Sequence, residues 1–131
     1  MRFVDTSFWV ALRFGRDQNH EQASRLWLGT SEPLLTTNHV LGETWTFLNR
    51  RVGHARAWPF VEASLSSPRL TLFHVDEELE RAAWEWLHRH DERTYSFVDA
   101  TSFLIMRRFR ISEVLAFDTD FSAAGFTEVR P

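Results

Sequence analysis

Three short apolar segments of this chain each run directly into an aspartate. They are Phe3-Val4-Asp5, Phe97-Val98-Asp99 and Ala116-Phe117-Asp118. Apolar residues of this kind are usually buried, so each aspartate is expected to be held where the core meets solvent. Carboxylates that are fixed and clustered are typical of divalent-metal sites, because hard cations prefer oxygen ligands. The repeated pattern therefore favours a fold that brings distant carboxylates together.

Length and composition predict one folded domain over residues 1–131, since 44% of the residues are hydrophobic and 15% are aromatic. The chain has no cysteine, which excludes disulfides and thiolate metal sites and fits a reducing compartment. Arg2 and Asp5 introduce charge before any apolar signal segment can form. We therefore expect a soluble, cytoplasmic protein with no membrane partner.

All fifteen basic residues are arginine, and this excludes several classes of protein that place an aspartate at a strand end. P-loop proteins, receiver domains and haloacid-dehalogenase-type phosphatases all need a lysine near the acidic pocket. The five glycines are too scattered for a dinucleotide fingerprint. A net charge of −3 is unusual for a nucleic-acid binder, but carboxylates that neutralise metal ions would leave the remaining surface more positive.

Predicted strands and helices alternate along the chain. The predicted strands are Arg2–Asp5, Pro33–Thr37, Arg69–Val75, Glu113–Phe117 and Thr127–Val129. The predicted helices are Thr6–Phe14, His20–Leu28, Asn38–Arg51, Gly53–Ser66 with Pro59 in its first turn or at a kink, one capped by Asp76, and Ser96–Phe109. This alternation predicts an α/β/α sandwich with a mostly parallel central sheet of about five short strands.

Four acids are expected to meet at one edge of this sheet. Asp5 and Asp118 follow predicted strands, whereas Glu43 and Asp99 lie near the starts of predicted helices. Two carboxylates about 4 Å apart repel by ~4 kcal/mol at an effective dielectric constant near 20, so a cluster of four needs a cation. Oxygen ligands without thiolates favour Mg²⁺ or Mn²⁺, and a phosphodiester is the substrate that such a site suits.

Each acid also has a purely structural interpretation. Asp5 is a plausible helix cap, and Ser96 with Asp99 forms a capping box. Glu43 lies four residues after His39 and is placed to pair with it, while Asp118 fits an ordinary turn. Single acids are explained well in this way, but a structural role does not account for four acids at one edge.

The ordered set of motifs resembles a PIN domain, specifically a VapC-type toxin of a type II toxin–antitoxin pair. The matching segments are Val4-Asp5-Thr6-Ser7, Glu43, Ser96-Phe97-Val98-Asp99-Ala100 and Phe117-Asp118-Thr119-Asp120-Phe121. The resemblance implies that Asp5, Glu43, Asp99 and Asp118 are the catalytic, metal-binding acids. It also implies auxiliary roles for Thr6, Ser7 and Asp120.

The resemblance implies a Mg²⁺- or Mn²⁺-dependent endoribonuclease that cuts structured RNA and inhibits translation. Such proteins typically form homodimers and are neutralised by a cognate VapB-type antitoxin. The segments Asn38–Arg51, Tyr95–Phe103 and Asp118–Pro131 look most like members that cut the sarcin–ricin loop of ribosomal RNA. Members that cut transfer RNA are the next most similar.

Four residues are candidates for RNA binding. Arg93 and Tyr95 precede Asp99 in a predicted loop, where an arginine can hold phosphate and a tyrosine can stack on an unpaired base. Arg50 and Arg51 end a predicted helix, although cations at that position also stabilise the helix dipole. Two other functions stay open from the residues alone: a non-catalytic RNA- or protein-binding module, and a metal-dependent DNA nuclease.

Overall fold

A parallel sheet forms the centre of the computed structural model, which describes residues 1–131. Its strands are β1 (Arg2–Val4), β2 (Leu34–Thr37), β3 (Leu70–Phe73), β4 (Glu113–Leu115) and β5 (Thr127–Glu128). The strand order is β3-β2-β1-β4-β5, and every neighbouring pair is parallel. The prediction of about five short strands is therefore confirmed, and the sheet is wholly parallel.

Seven helices connect these strands. They are α1 (Thr6–Arg13), α2 (His20–Gly29), α3 (Asn38–Val52), α4 (His54–Ser66), α5 (Glu77–Arg89), α6 (Phe97–Arg108) and α7 (Asp120–Ala123). Helix α1 contacts α2 and α3, α3 contacts α4, and α5 packs against α6. Right-handed crossovers place α1 to α4 on one face and α5 with α6 on the other, because the chain reverses its direction across the sheet after β3. No helix has the length and apolar character needed to cross a bilayer.

The inner strands are buried because helices cover both faces of the sheet. Phe3 pairs in register with Val114 and Val4 pairs with Leu115, and all four are fully buried. They belong to a cluster of 26 buried apolar residues that extends to both helical layers. This core fixes the ends of β1 and β4, from which two of the predicted acids project.

Several local predictions differ from the structure, and strand β3 spans only Leu70–Phe73 within the predicted Arg69–Val75. Strand β4 ends at Leu115, two residues earlier than expected, because the Phe117 N–H donates to the Ser7 hydroxyl and not to a strand. Helix α7 was not predicted, since Asp118 and Asp120 were interpreted only as a turn. Pro59 lies inside α4 beyond its first turn, and the helix continues through it. Phe97 and Val98 are only half-buried, because they form the first turn of α6 at the protein surface.

The sheet changes direction between β1 and β4, and this creates the crevice that positions the site. From β1 the chain moves outward to β2 and β3, and it later returns to place β4 on the other side of β1. In parallel α/β sheets, ligands bind beyond the carboxyl ends of the strands at such a switch point. The segments after β1 and β4 both enter this crevice.

Candidate metal centre

Three aspartates converge at the switch point. Asp5 follows β1 and is the N-cap of α1, Asp118 follows β4, and Asp99 lies in the first turn of α6. One carboxylate oxygen from each lies within 4.8 Å of the others. Asp5 is 2% exposed and Asp99 is 7% exposed, so two of the three charges are almost fully removed from water. The structure therefore brings together three of the four acids that the sequence singled out.

The Ser7 side chain fixes Asp5 relative to the neighbouring strand. Its Oγ donates to Asp5 Oδ2 at 2.7 Å, and the Ser7 N–H donates to the same oxygen at 3.1 Å. Ser7 Oγ also accepts from the Phe117 N–H at 2.9 Å, immediately before Asp118. One hydroxyl thus links the backbone after β4 to the carboxylate after β1.

The structural roles proposed for the aspartates are also present. Asp5 caps α1, and Asp99 forms a complete capping box with Ser96. Asp118 Oδ1 accepts from the Asp120 N–H at 3.1 Å in a turn. Each of these bonds uses only one oxygen of its carboxylate. Capping and metal binding are therefore compatible at the same residue.

The electrostatics show that this cluster is unfavourable when all its members are ionised. Burial, reinforced by the negative charges of Asp5 and Asp120, raises the pKa of Asp99 to about 6. Burial and the charges of Asp5 and Asp99 raise the pKa of Asp118 further, to about 8. Burial also raises the pKa of Asp5, against the opposing effect of its bonds to Ser7. A divalent cation would remove this repulsion.

Glu43 lies at the edge of the cluster. It lines the same cavity of about 450 Å³ as the three aspartates, but it is not in the group whose oxygens lie within 4.8 Å of one another. Partial burial and the charge of Asp5 raise its pKa, whereas the nearby Thr6 hydroxyl lowers it. His39, which the sequence placed to pair with Glu43, has its Nε2 4.0 Å from Oε1 of Glu80 on α5.

The residues present fit a divalent cation. The donors are carboxylate oxygens alone, which suits Mg²⁺ or Mn²⁺ better than zinc. Thr6 Oγ1 is buried in the same cavity without a hydrogen-bond partner of good geometry, so polar capacity remains for a bound ion or its water. The identity of the ion is a prediction.

Asp120 forms an ion pair with an arginine. Arg93 donates to Asp120 Oδ1 at 2.9 Å through Nη2 and at 3.2 Å through Nε, and it also bonds Thr119 Oγ1. These bonds tie the loop before α6 to the turn after β4. The auxiliary role of Asp120 and the phosphate-binding role of Arg93 stay predictions. Asp120 lines the metal-centre cavity, and Arg93 is bound to it.

The other RNA-binding candidates occupy different surroundings. Tyr95 is half-buried and packs edge-on against Trp86 and Phe103, with ring centroids 5.0 and 5.5 Å apart. Arg50 and Arg51 line a separate cavity of about 670 Å³ that shares Glu43 with the metal-centre cavity. Their roles also remain predictions.

Glu128 is a positioning residue that sequence analysis missed. Its side chain is 3% exposed, and its carboxylate accepts from the N–H groups of Thr119 and Ser122. It therefore fixes the turn that carries Asp118 and Asp120. Its place on the last strand, at the same sheet edge as the acids, is the only signal in the sequence that points to it.

Replacing Ser7 by alanine is expected to weaken the centre without unfolding the protein. The variant loses the hydroxyl that joins Asp5 to Phe117, so the carboxylate is less well oriented and its pKa rises further. Loss of a residue that orients a metal ligand typically costs about 10- to 100-fold in metal affinity or activity. We expect a higher Mn²⁺ concentration for half-maximal nuclease activity, measured by metal titration.

The matched control is Ser66→Ala. Its hydroxyl bonds only within α4, to Glu62 O, and is exposed. That variant is expected to titrate with Mn²⁺ like the unmodified protein. Equal Mn²⁺ requirements for the Ser7 and Ser66 variants would show that the Ser7 bridge does not position the centre.

The comparisons with known proteins agree with this fold. The PIN domain family matches residues 2–127. The chain therefore belongs to the PIN-domain family.

Its relatives place it among the VapC proteins. It is 57% identical over 131 residues to the 23S rRNA-specific endonuclease VapC20 of Mycobacterium tuberculosis, covering 100% of this chain and 99% of that one. It is 27% identical over 124 residues to a VapC ribonuclease of Archaeoglobus fulgidus, covering 91% of this chain and 78% of that one. The resemblance predicted from the motifs is confirmed.

Solved structures show the same fold. The crystal structure of M. tuberculosis VapC20, described as a sarcin–ricin loop cleaving toxin, superposes with a TM-score of 0.95 at 56% identity over 100% of both chains. A toxin–antitoxin complex from Klebsiella pneumoniae matches with a TM-score of 0.64 at 11% identity, covering 94% of this chain and 91% of that one. The second match supports the fold alone.

Proposed function

We propose that this chain is an endoribonuclease toxin that hydrolyses a phosphodiester bond in the sarcin–ricin loop of 23S ribosomal RNA and so inhibits translation. The observation that carries the proposal is the aspartate cluster, with oxygens within 4.8 Å, in a chain 57% identical along its whole length to a 23S rRNA-specific endonuclease. The resemblance of the motifs to sarcin–ricin members supports the same target. We further propose that residues 1–131 act as one PIN domain in the cytoplasm, where ribosomes are found.

The metal in this proposal is Mg²⁺ or Mn²⁺, held by Asp5, Asp99 and Asp118, with Glu43 as the fourth acid. When bound, such an ion stabilises the negative charge that develops on the phosphate during hydrolysis. Two serines hold the proposed ligands in place: Ser7 orients Asp5, and Ser96 orients Asp99. Preorganised ligands of this kind need little rearrangement when substrate binds.

Glu43 is proposed to handle a proton at the cavity edge. Partial burial brings its pKa above the ordinary value of a glutamate, which makes its carboxylate a better acceptor near neutral pH. Its position beside the three aspartates, without being one of the close group, leaves it available to the attacking water. The four acids thus divide between binding the metal and moving a proton.

Two protein partners belong to the proposal. The first is a cognate VapB-type antitoxin that neutralises the toxin, and the second is another copy of the chain in a homodimer. Both are supported by membership of the VapC group, in which the relatives share the whole length of this chain. The RNA substrate is the third partner.

The test is to induce the chain in cells, isolate total RNA and map the 5′ ends created. Wild-type protein is expected to give a new end in the sarcin–ricin loop, and Asp5→Ala is expected to give none, because Asp5 is central to the cluster. Purified protein should cut that RNA with Mn²⁺ and not with EDTA, and it should leave DNA of matching sequence intact. Identical ends from wild type and Asp5→Ala would refute catalysis by this chain.

A further inference from the structure

A third cavity, away from the aspartates, is lined mainly by arginine. It has a volume of about 480 Å³, and we call it the arginine pocket. Its seven lining residues are Arg13, Phe14, Gly15, Arg16, Arg51, Val52 and Arg56. Four of the seven are cationic and none is acidic, in a chain whose net charge is −3. Such a local excess of positive charge attracts an anion.

The four arginines lack anionic partners within the protein. None of them takes part in the salt bridges of the structure, and none donates a side-chain hydrogen bond. Arg13 remains exposed overall, yet partial desolvation of its guanidinium lowers its pKa and no carboxylate offsets this. A guanidinium that has lost water without gaining a counter-charge is ready to bind a phosphate.

Helix stability does not explain the whole set. Arg13 and Arg51 lie in the last turns of α1 and α3, where a cation is favourable to the helix dipole. Arg56 lies in the first turn of α4, where a cation is unfavourable, and Arg16 lies in the loop after α1.

The arginine pocket and the metal centre are joined by a continuous surface. The cavity of about 670 Å³ shares Glu43 and Phe47 with the metal-centre cavity and shares Arg51 with the arginine pocket. Arg51 lies over the Phe47 ring, 5.0 Å from its centroid. The surface between the two sites therefore offers an aromatic face and cations.

Two helices set the separation between the sites. Arg13 lies eight residues beyond Asp5 along α1, and Arg51 lies eight residues beyond Glu43 along α3. At about 1.5 Å rise per residue, each interval spans about 12 Å along its helix axis. A nucleic-acid strand carries a negative charge at every nucleotide, so this interval corresponds to a few nucleotides.

We propose that the arginine pocket binds a backbone phosphate of the RNA substrate, a few nucleotides from the bond that is cleaved. This inference rests on the proposed function. RNA is favoured over an acidic protein segment because the arginine pocket continues into the metal centre, where the same strand would be cut. The arginines hold the strand in place, and they do not touch the reacting phosphate.

The experiment compares the unmodified protein with Arg16→Ala/Arg56→Ala. Binding of a fluorescent sarcin–ricin stem-loop RNA is measured by anisotropy in EDTA, which prevents cleavage, at several salt concentrations. We expect Kd to rise on the order of 10-fold. The slope of log Kd against log salt should fall by about 0.7 for each phosphate that the variant no longer binds. With Mn²⁺ and saturating RNA, kcat is expected to stay unchanged while KM rises.

Two further variants serve as controls. Arg25→Ala/Arg108→Ala removes the same charge from exposed positions that line none of the cavities, and it should leave Kd and the salt slope close to those of the unmodified protein. Arg16→Lys/Arg56→Lys keeps the charge and should restore most of the slope. Thermal melts of all variants verify that they are folded.

The outcomes separate this inference from the proposed function. If the unmodified protein cuts the stem-loop and the Arg16/Arg56 alanine variant binds it equally well with the same salt slope, the arginine pocket is not an RNA site. If polyglutamate binding is lost in that variant while RNA binding is unchanged, the occupant is an acidic protein segment and the inference is wrong. If the unmodified protein neither cuts nor binds the RNA, both proposals fail.

Discussion

Replacing Asp99 by asparagine is expected to reduce RNA cleavage on the order of 1,000-fold or more while leaving the fold intact. Asparagine keeps the shape of the side chain and an oxygen that can accept the Ser96 N–H, so the capping box of α6 survives. It removes the negative charge that a divalent cation requires. The measurement is single-turnover cleavage of the sarcin–ricin stem-loop with Mn²⁺, together with a thermal melt.

Asp76→Asn is the matched control. Asp76 caps α5 through a bond from the Leu79 N–H, in the same way that an acidic cap serves α1, but it is exposed and lies outside the metal-centre cavity. We expect its cleavage rate to equal that of the unmodified protein. If Asp99→Asn also cleaves at the unmodified rate, Asp99 is only a helix cap and the proposed metal centre is wrong.

The stability of the metal-free protein is expected to fall as pH rises from about 4 to 8, and Asp118→Asn should remove much of this fall. The pKa of Asp118 is about 8 and that of Asp99 is about 6, both above the ordinary value of 3.8. Above pH ~4 and below these folded pKa values, Asp99 and Asp118 keep protons in the folded protein that they have released in the unfolded chain. The stabilising contribution is therefore complete below pH ~4 and is lost as pH rises through the folded pKa values.

The size of the effect follows from the same pKa values. One pKa unit corresponds to about 1.4 kcal/mol, but Asp118 is half-buried and solvent screens its charge. We therefore expect Asp118→Asn to raise the free energy of unfolding by only about 2 kcal/mol at pH 8. This is roughly 6 °C in Tm for a domain of this size. At pH ~4 and below the two proteins should melt at similar temperatures.

Metal and a control variant complete this test. Mn²⁺ should raise the Tm of the unmodified protein at pH 8 and raise that of Asp118→Asn much less, because only the former keeps the full set of carboxylates. Asp91→Asn removes an exposed acid outside the cavity and should follow the unmodified protein at every pH. Parallel melting curves for Asp118→Asn and the unmodified protein would show that the cluster carries no electrostatic strain.

The fold was predictable because its signals are local. The apolar pair Phe3-Val4, followed by Asp5 and two residues later by Ser7, specified a short strand and a capped helix, and both are present. The alternation of such units indicated a parallel sheet covered on both faces. The end of β4 was not predictable, because it depends on a bond between Phe117 and Ser7, which are 110 residues apart in the chain.

The candidate site was predictable only as a set of residue types. Asp5, Asp99 and Asp118 could be chosen because each follows apolar residues, and the structure brings all three together. Glu43 was chosen for its place near the start of a predicted helix, and it lies at the edge of the group. Glu128 carried almost no local signal, because its role comes from the hydrogen bonds that it accepts from Thr119 and Ser122, earlier in the chain.

The sequence by itself determined which carboxylates and arginines this protein has and, for Asp5, Glu43 and Asp99, which helix each one caps or lies in. Helical periodicity, caps and buried strands depend on neighbouring residues, so they can be interpreted from the chain alone. Only the tertiary structure decided that β4 lies beside β1, which brings Asp118 to Asp5. It also decided that α1, the loop after it, α3 and α4 bring four arginines into one pocket. Desolvation and charge repulsion act between groups that are distant in sequence, and their strength is set by distances and burial that arise on folding.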